Sequence, residues 1–224
     1  MCGRYQMSVQ EKDISVRFNV EVYEKLYRPS YNCAPSQNLP VISNQQPDKL
    51  SFFRWGLIPF WAKDMKIGYR MINAKAETID QKPSYKNPFK RKRCLVISNG
   101  FYEWKKNGKE KTPYRIFLKD EKLFSFAGIW DTWKDAADRE VNSFSIITTS
   151  PNKLMERIHN RMPVILDETS EKTWLGENDP AVLKELLKAY PADKMLAYPV
   201  SRAVNSPVNN SEALIEQEGD LLQG

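Results

Sequence analysis

Short apolar runs bounded by turn residues dominate the middle of the chain, a pattern typical of strands. The runs cover residues 40–43, 50–55, 94–98, 112–118, 123–130, 142–149, 164–166 and 195–200. Asn107 and Gly108 form a strong turn signal, so a strand that begins at Gly100 is predicted to form a hairpin with the strand over 112–118. The polar, charged residues 131–140 are predicted to form a loop between two strands.

Helical patterns are predicted at the edges of this strand-rich chain. Ser8 and Glu11 have the spacing of a capping box, which predicts a short helix that ends near Phe18. Residues 151–159 and 180–190 have helical apolar spacing, and each stretch starts with a proline. Many strands with helices at the edges predict a single compact α+β domain, built on a largely antiparallel, barrel-like sheet with flanking helices.

Length and composition agree with one domain. The chain has 224 residues, of which 41% are hydrophobic and 12% are aromatic, enough for a sizeable core. We expect the domain to cover residues 1–210, followed by an acidic, polar tail over residues 211–224 that is loosely held. The sequence has no apolar run of membrane-spanning length and no signal-peptide pattern, so we expect no contact with a membrane.

Charge and cysteine content narrow the function. The formal net charge is +6, which suits a polyanionic partner without requiring one. The three cysteines are Cys2, Cys33 and Cys94, and an odd number at distant positions argues against a disulfide scaffold and favours a reducing cytosol. With one histidine and no Cys-x-x-Cys spacing, no metal site is expected, and no cofactor is predicted. Cys33 and Cys94 are predicted to be buried and inert.

The second residue carries the most distinctive chemistry. Removal of Met1 would leave Cys2 with an α-amine and a thiol on adjacent carbons, with reference pKa values of about 8 and about 8.5. An aldehyde condenses with such an amine to an imine, and the thiol then closes onto the imine carbon to give a neutral thiazolidine. An internal cysteine cannot react in this way because its nitrogen is an amide. Considered without the rest of the chain, these first residues are better explained as a frayed terminus.

Two further stretches have both a structural and a functional interpretation. Residues 55–61 contain three aromatic side chains, and they form either a strand end packed with aromatic residues or an exposed wall that stacks on bases. The basic run over residues 86–93 is typical of a solvated face, although it leads directly into the apolar strand over 94–98.

Five separate blocks of the sequence match one family pattern. They are residues 1–4 (Met-Cys-Gly-Arg), 32–37, 55–61, 100–104 and 158–163, with support from residues 73–78, 127–131 and 200–205. Over nearly its whole length the chain resembles the SOS-response-associated peptidase (SRAP) family of abasic-site processing proteins. Each block is weak by itself, but their order, together with a cysteine at position 2, makes the resemblance specific.

The resemblance implies a function that composition does not show. Family members bind single-stranded DNA and shield abasic sites through a thiazolidine crosslink from the N-terminal cysteine, to which a positively charged groove leads. A proteolytic activity, seen as removal of the initiator methionine, is also ascribed to the family, and we expect hydrolase and lyase activities to accompany the crosslinking. We expect a monomeric, cytoplasmic protein that associates with the nucleoid when bound to DNA and requires neither a metal nor a cofactor.

Besides Cys2, three catalytic candidates follow from the family pattern. Glu103 and His159 match its catalytic glutamate and histidine, which would help the abasic sugar to open and would move protons as water leaves. Their ordinary interpretations are an exposed hairpin glutamate paired with a lysine and a histidine that interacts with a helix dipole. Asn73 matches the family asparagine that contacts the cysteine. Its residue type suits this role, because an amide can both accept from an ammonium or thiol and donate to a sugar oxygen. Its ordinary interpretation is a loop or capping residue.

Five residues are candidates for DNA contacts. Arg4, Lys75 and Arg161 match basic positions that hold phosphates beside the lesion, and Arg4 is also expected to lower the pKa of the neighbouring cysteine thiol. The family usually has arginine at position 75, and lysine keeps the charge but loses the bidentate fork. Trp61 and Trp104 are candidates to stack on bases or to prop open the edge of a duplex. Both could equally be core residues, and for Trp61 the core interpretation is about as good as the functional one.

Two other classes of function stay open. The same terminal cysteine, with its own amine as base, would suit an N-terminal-nucleophile amidohydrolase or peptidase that acts on peptides without DNA. A non-catalytic single-strand binding module would use only the basic and aromatic surface, and its DNA binding would not depend on residue 2. The resemblance favours the crosslinker over both.

Overall fold

The computed structural model describes residues 2–22, 27–120 and 122–224. The strands are β1 (Arg4–Met7), β2 (Ser30–Cys33), β3 (Asn38–Ser43), β4 (Gln46–Trp55), β5 (Asn73–Lys75), β6 (Arg93–Ser98), β7 (Gly100–Asn107), β8 (Glu110–Leu118), β9 (Phe124–Lys134), β10 (Glu140–Thr149), β11 (Met162–Pro163), β12 (Ile165–Leu166), β13 (Met195–Pro199) and β14 (Leu222–Gln223). The α-helices are α1 (Glu11–Phe18), α2 (Pro83–Arg91), α3 (Lys153–Glu156), α4 (Glu168–Gly176) and α5 (Pro180–Glu185). Short 3-10 helices cover Met65–Arg70, Ala76–Thr78, Ala192–Lys194, Arg202–Asn205 and Glu212–Ile215.

Five strands close into a barrel. β10 pairs with β4, β4 with β3, β3 with β6 and β6 with β9, and β9 returns to β10. The contacts in this ring are antiparallel except the one between β10 and β4, and the short strand β5 also runs parallel to β10. The prediction of a single compact α+β domain, built on a largely antiparallel, barrel-like sheet, is confirmed. The parallel contacts join segments that are distant in sequence, so no local pattern predicts them.

A second, antiparallel sheet carries the N-terminal strand. Its order is β14-β13-β8-β7-β1-β2. The predicted hairpin is confirmed, since β7 and β8 pair along their length and Gly108 between them has a φ of 60°, which glycine adopts without steric cost. β1 lies between β2 and β7 and is hydrogen-bonded on both edges.

The Tyr5 side chain packs β1 against aromatic residues of the barrel. Its ring centroid lies 5.2 Å from that of Trp55 and 5.9 Å from that of Phe126, and all three side chains are buried. Aromatic pairs at such distances add to the stability gained from burial. The next residue, Gln6, accepts a hydrogen bond at Oε1 from Nε of the buried Arg115 at 2.9 Å. These contacts hold the start of β1 in one register, and with it the position of Cys2.

Helix α1 agrees with one predicted end and corrects the other. It ends at Phe18, as predicted. It begins at Glu11 rather than directly after Ser8, because Gln10 is the N-cap and its backbone N–H donates to Asp13 Oδ2 at 3.2 Å. The Ser8 hydroxyl instead accepts a hydrogen bond from a glutamine side chain of β1 at 2.6 Å.

Two predicted helices are shorter than expected. The helix predicted over 151–159 is the single turn α3, because the Asn152 side chain caps its start and the chain leaves the helix after one turn. The helix predicted over 180–190 ends at Glu185. The predicted loop over 131–140 is also shorter, because β9 and β10 extend into it as an antiparallel pair.

Helices α2 and α4 are absent from the predictions. Much of the basic run over 86–93 lies in α2, whose Tyr85 and Phe89 are buried while Lys90 is exposed. Arg93, which follows the helix, is only 1% exposed, and its Nη1 donates to the Lys90 carbonyl oxygen at 2.7 Å. A solvated face therefore describes only part of this run.

Residues 211–224 pack onto the second sheet. Leu222 in β14 pairs with Ala197 in β13, and Leu214 is 2% exposed. The tail that was expected to be loosely held therefore makes defined contacts, and a domain boundary at residue 210 stays a prediction. Among the described residues, no helix combines the length and apolar character needed to cross a membrane.

Candidate active site

Cys2 lies directly before β1 and is fully buried. Its thiol donates a weak hydrogen bond to the Arg4 carbonyl oxygen at 3.7 Å. Asn73 Nδ2 donates to the Cys2 carbonyl oxygen at 2.8 Å. Asn73 belongs to β5, which pairs with the barrel strand β10, so the barrel positions the backbone that precedes β1. Met1, whose removal the sequence interpretation requires, lies outside the described residues.

The other amide atom of Asn73 is an unsatisfied acceptor. Asn73 Oδ1 is buried and accepts no hydrogen bond from the described residues. Buried polar atoms in folded proteins almost always have a partner, and an unmade hydrogen bond is costly. This oxygen therefore marks a place for a donor that the described part of the chain does not supply.

The Cys2 thiol is held in its neutral form. Burial raises its pKa above the ordinary value, and the negative charge of nearby Glu103 raises that pKa further. The expectation of a lowered thiol pKa is therefore wrong: the hydrogen bond to the Arg4 backbone does lower the pKa, but burial outweighs it. The Arg4 guanidinium is engaged elsewhere, since its Nη1 donates to Asn32 Oδ1 at 2.9 Å and to the Val204 carbonyl oxygen at 3.0 Å.

Glu103 and His159 share an open pocket, which we call the terminal pocket. Its volume is about 400 Å³, and its lining residues are Glu103, Trp104, Lys106, Lys111, His159 and Asn205. Glu103 directly follows Tyr102, the last residue of β7 that pairs with β1, so the pocket opens where β1 begins. Glu103 is only 2% exposed, and its interpretation as an exposed hairpin residue is therefore wrong.

The hydrogen bonds of His159 favour one tautomer of its ring. Nδ1 accepts from the Arg161 backbone N–H at 3.1 Å, which favours a neutral imidazole with its proton on Nε2. Nδ1 also lies 3.3 Å from the Arg161 carbonyl oxygen, the contact that the other neutral tautomer would use. The position of the ring proton therefore depends on the local geometry at Arg161.

Arg161 forms a bidentate ion pair with Glu77. Its Nη1 donates to Glu77 Oε1 at 2.6 Å, and its Nη2 donates to Glu77 Oε2 at 3.0 Å. Nη2 also donates to the Thr148 carbonyl oxygen at 2.6 Å. The hydrogen bonds from Arg161 lower the pKa of the Glu77 carboxyl. The guanidinium is thus already paired where a phosphate contact is predicted, and that contact stays a prediction.

The other predicted DNA contacts differ in their exposure. Lys75 is exposed at the end of β5. Trp104 is half-buried, and its Nε1 donates to Asn205 Oδ1 at 2.8 Å. Trp61 is 49% exposed, so its interpretation as a core residue is wrong, whereas Trp55 is 1% exposed and belongs to the core. Residues 55–61 therefore combine a packed strand end with an exposed aromatic end, and stacking of that end on bases stays a prediction.

Three residues of the terminal pocket are missing from the predicted site. Asn205 lies at the end of a block that matches the family pattern, so that block could have identified it. Lys106 and Lys111 are direct cross-strand partners in the β7–β8 hairpin, and like charges at such positions are unfavourable. The hairpin prediction does not give this register, because it places the returning strand from residue 112 onward.

The remaining cysteines are buried and free, as predicted. Burial raises the pKa of Cys33 to about 12 and also raises that of Cys94. The described residues contain no group of three or more His, Cys, Asp or Glu side chains placed to hold a metal ion.

These features define a class of protein. A closed barrel supports a second sheet, and an asparagine of β5 holds the cysteine that precedes the first strand of that sheet. The charge of a buried glutamate reaches this cysteine, and the glutamate shares a pocket with an imidazole. The family model for SOS response associated peptidase (SRAP) matches residues 1–207. The chain belongs to the SRAP family.

Relatives from distant organisms share one descriptive name. The abasic site processing protein YoqW of Bacillus subtilis (strain 168) is 50% identical over 222 residues, which cover 96% of this chain and 99% of YoqW. The abasic site processing protein HMCES of Xenopus tropicalis is 34% identical over 217 residues, which cover 83% of this chain and 65% of HMCES. The crystal structure of a protein from Bacteroides thetaiotaomicron has a TM-score of 0.89 at 34% identity, over 96% of this chain and 99% of that one.

Proposed function

We propose that this protein senses and shields abasic sites in single-stranded DNA by forming a thiazolidine crosslink through Cys2, after Met1 is removed. The observation that carries the proposal is the placement of Cys2. Asn73 holds its carbonyl oxygen, and the charge of Glu103, which shares the terminal pocket with His159, reaches its thiol. The names of the relatives support abasic DNA as the substrate.

The reaction is a condensation that releases one water molecule. The Cys2 amine attacks the C1′ aldehyde of the ring-opened sugar, and the resulting carbinolamine loses its hydroxyl as water to give an imine. The thiol sulfur then bonds to the same carbon, while its proton passes through a side chain to the nitrogen. The amine reacts first, so a neutral thiol in the resting protein is compatible with this order.

Glu103 and His159 divide the proton transfers in this proposal. Glu103, buried near the thiol, accepts the thiol proton and delivers it to the nitrogen. His159 donates from Nε2 to the sugar oxygen as the ring opens and to the hydroxyl that leaves. Asn73 orients the α-amine with the buried Oδ1 that accepts no hydrogen bond from the described residues.

The DNA strand is expected to contact the surface around the terminal pocket. Lys75, Arg4 and Arg161 are the proposed phosphate contacts, which make binding salt-dependent. Trp61 and Trp104 are the proposed stacking residues. The half-exposed Trp61 ring supports this proposal.

A denaturing gel with an abasic single-stranded oligonucleotide tests the proposal. Intact mass should first show that Met1 is absent, because an amide nitrogen cannot react. We expect a stable adduct for the wild type, and peptide mapping should place the DNA remnant on Cys2. Cys2→Ser keeps the amine but not the sulfur, so we expect a reversible imine or strand cleavage instead. A stable adduct mapped to a different side chain would contradict the proposal.

The description of the family as a peptidase favours a second candidate function. An N-terminal-nucleophile peptidase would use the Cys2 thiol to attack a peptide carbonyl, with its own amine as base. The raised pKa of the Cys2 thiol argues against a resting thiolate nucleophile. Turnover of a peptide in trans without DNA, lost in Cys2→Ala, would favour this candidate over the crosslinker.

A further inference from the structure

Glu77 does not line the terminal pocket but is connected to it through Arg161. Its carboxylate accepts from both terminal nitrogens of the guanidinium, at 2.6 and 3.0 Å. A bidentate ion pair of this kind sets the orientation of the arginine as well as its distance from the carboxylate. Nη2 also donates to the Thr148 carbonyl oxygen on β10, so the Arg161 side chain is bonded both to the barrel and, through Glu77, to the 3-10 helix Ala76–Thr78.

Arg161 in turn sets the surroundings of the His159 ring. Its backbone N–H donates to Nδ1 at 3.1 Å. The segment that carries the ring is attached at its start, where the His159 N–H donates to the Met155 carbonyl oxygen at 2.7 Å. At its other end, the segment enters β11, which has only two residues. The ion pair between Arg161 and Glu77 is therefore a second attachment of this segment, close to the ring.

We propose that Glu77 is a positioning residue that, through Arg161, keeps the His159 proton on Nε2. With Nδ1 occupied as an acceptor, Nε2 is the donor that proton transfer to a sugar oxygen requires. The consequence for the reaction rests on the proposed function, whereas the tautomer is a property of the protein without DNA.

The charge of Glu77 suits it to hold Arg161, and its exposure allows it to be substituted. Arg161 lowers the pKa of the Glu77 carboxyl, so the carboxylate is charged at neutral pH. The Arg161 side chain is 15% exposed and that of Glu77 is 46% exposed. Glu77 is the exposed partner, and without it Arg161 keeps its hydrogen bond to the Thr148 carbonyl oxygen, so we expect variants of Glu77 to fold.

The chain has one histidine, so its tautomer can be read without assignment of other rings. Glu77→Gln is isosteric, but its NH₂ group cannot accept from the guanidinium, and one of the two hydrogen bonds is lost. In long-range proton–nitrogen spectra of the DNA-free wild type, we expect a protonated Nε2 and an unprotonated Nδ1. In Glu77→Gln we expect the two nitrogen shifts to move toward each other, because both tautomers become populated. An unchanged spectrum in this variant would overturn the proposal.

Asp80 provides a matched control. Its Oδ2 lies 2.6 Å from Lys184 Nζ, in a neighbouring ion pair away from the terminal pocket. Asp80→Asn removes the same charge and should keep the wild-type tautomer, and a shift as large as in Glu77→Gln would overturn the proposal. Arg161→Lys keeps the positive charge but loses the fork. It should reproduce the Glu77→Gln spectrum, which keeps the test decisive if one variant folds poorly.

Crosslinking rates connect the tautomer to the reaction. At saturating abasic DNA, we expect Glu77→Gln to form the adduct about tenfold more slowly, a part of what acid–base catalysis contributes. Saturating DNA removes any difference in affinity that Glu77→Gln causes through Arg161, a proposed phosphate contact, and Asp80→Asn should react at the wild-type rate. An unchanged saturating rate in Glu77→Gln would overturn this link. If the wild type forms no adduct, the proposed function fails, while the spectra still decide the role of Glu77.

Discussion

Cys2 and Cys33 lie beside the same strand, β1, and both are fully buried, yet their surroundings differ. Burial raises the pKa of both thiols, and at Cys33 a hydrogen bond with the Ser30 side chain partly offsets this effect. At Cys2 the charge of Glu103 adds to it, and Asn73 holds the backbone carbonyl. A low thiol pKa therefore does not distinguish Cys2 from Cys33. Under the proposed function, the distinction of Cys2 is the terminal amine that removal of Met1 would expose, beside groups that can transfer protons.

The largest expected effect is on adduct formation, when each of the two cysteines is replaced by alanine in turn. Cys2→Ala should abolish the thiazolidine adduct, because the sulfur that closes the ring is gone. Cys33→Ala should keep the adduct, because the nitrogen of that residue is an amide. Denaturing gels with excess protein measure the adduct, and circular dichroism checks folding. A stable adduct in Cys2→Ala, or none in a folded Cys33→Ala, would remove the proposed difference between the two residues.

Glu103→Gln should have the next largest effect, because it removes the carboxylate whose charge reaches the Cys2 thiol while keeping the side-chain shape. We expect single-turnover crosslinking to slow by about 10²-fold, the lower range of acid–base contributions. Glu110→Gln is the control, since Glu110 lies in the same hairpin but is exposed and outside the terminal pocket. Equal rates for both variants would mean that Glu103 takes no part in proton transfer.

Trp61→Ala should weaken binding without changing the chemistry at Cys2. Loss of one stacking ring is expected to cost about 1–3 kcal/mol of binding free energy for single-stranded DNA, measured by fluorescence anisotropy. Trp61→Phe keeps a ring and should retain most of the affinity. The crosslinking rate at saturating DNA should match the wild type, and a slower rate there would place Trp61 in the reaction itself.

Alkaline unfolding tests the burial of the Cys33 thiol and has no expected effect on the reaction with DNA. The Cys33 thiol has an ordinary pKa of 9.0 and a folded-state pKa of about 12, so in this window the unfolded chain releases a proton that the folded chain keeps. This contribution to stability is complete below the lower value and falls by about 1.4 kcal/mol per pH unit above it. Cys33→Ala should therefore flatten the decline in the free energy of unfolding, measured in urea at increasing pH. An unchanged slope would show that burial does not hold this proton.

Strands and the hairpin are predictable from short-range patterns, since turn residues and β-branched runs act within a few positions. The length of α3 is not, because the chain leaves that helix to reach the short strand β11. The burial of Arg93 is not predictable either. Its guanidinium is satisfied by carbonyl groups that include that of Trp174, a residue of a distant helix.

The site was predictable as a set of residues but not as an arrangement. Cys2, Asn73, Glu103 and His159 can each be named from a local motif. They come from the start of β1, from β5, from β7 and from the segment after α3, and no local motif states that these elements meet. Glu77 carries no motif of its own that indicates a partner, and its pairing with Arg161 emerges only in the folded chain.

By itself, the amino-acid sequence determined the strand-rich class, the family resemblance and the capacity of residue 2 to offer an amine and a thiol on adjacent carbons. Only the tertiary structure decided that the Cys2 thiol stays neutral, that Arg4 binds the segment around Val204, and that Arg161 is clamped by Glu77. The reason is physical. Covalent structure and local backbone preference depend on neighbours along the chain, whereas proton affinity and ion pairing depend on burial and on charges that folding brings close.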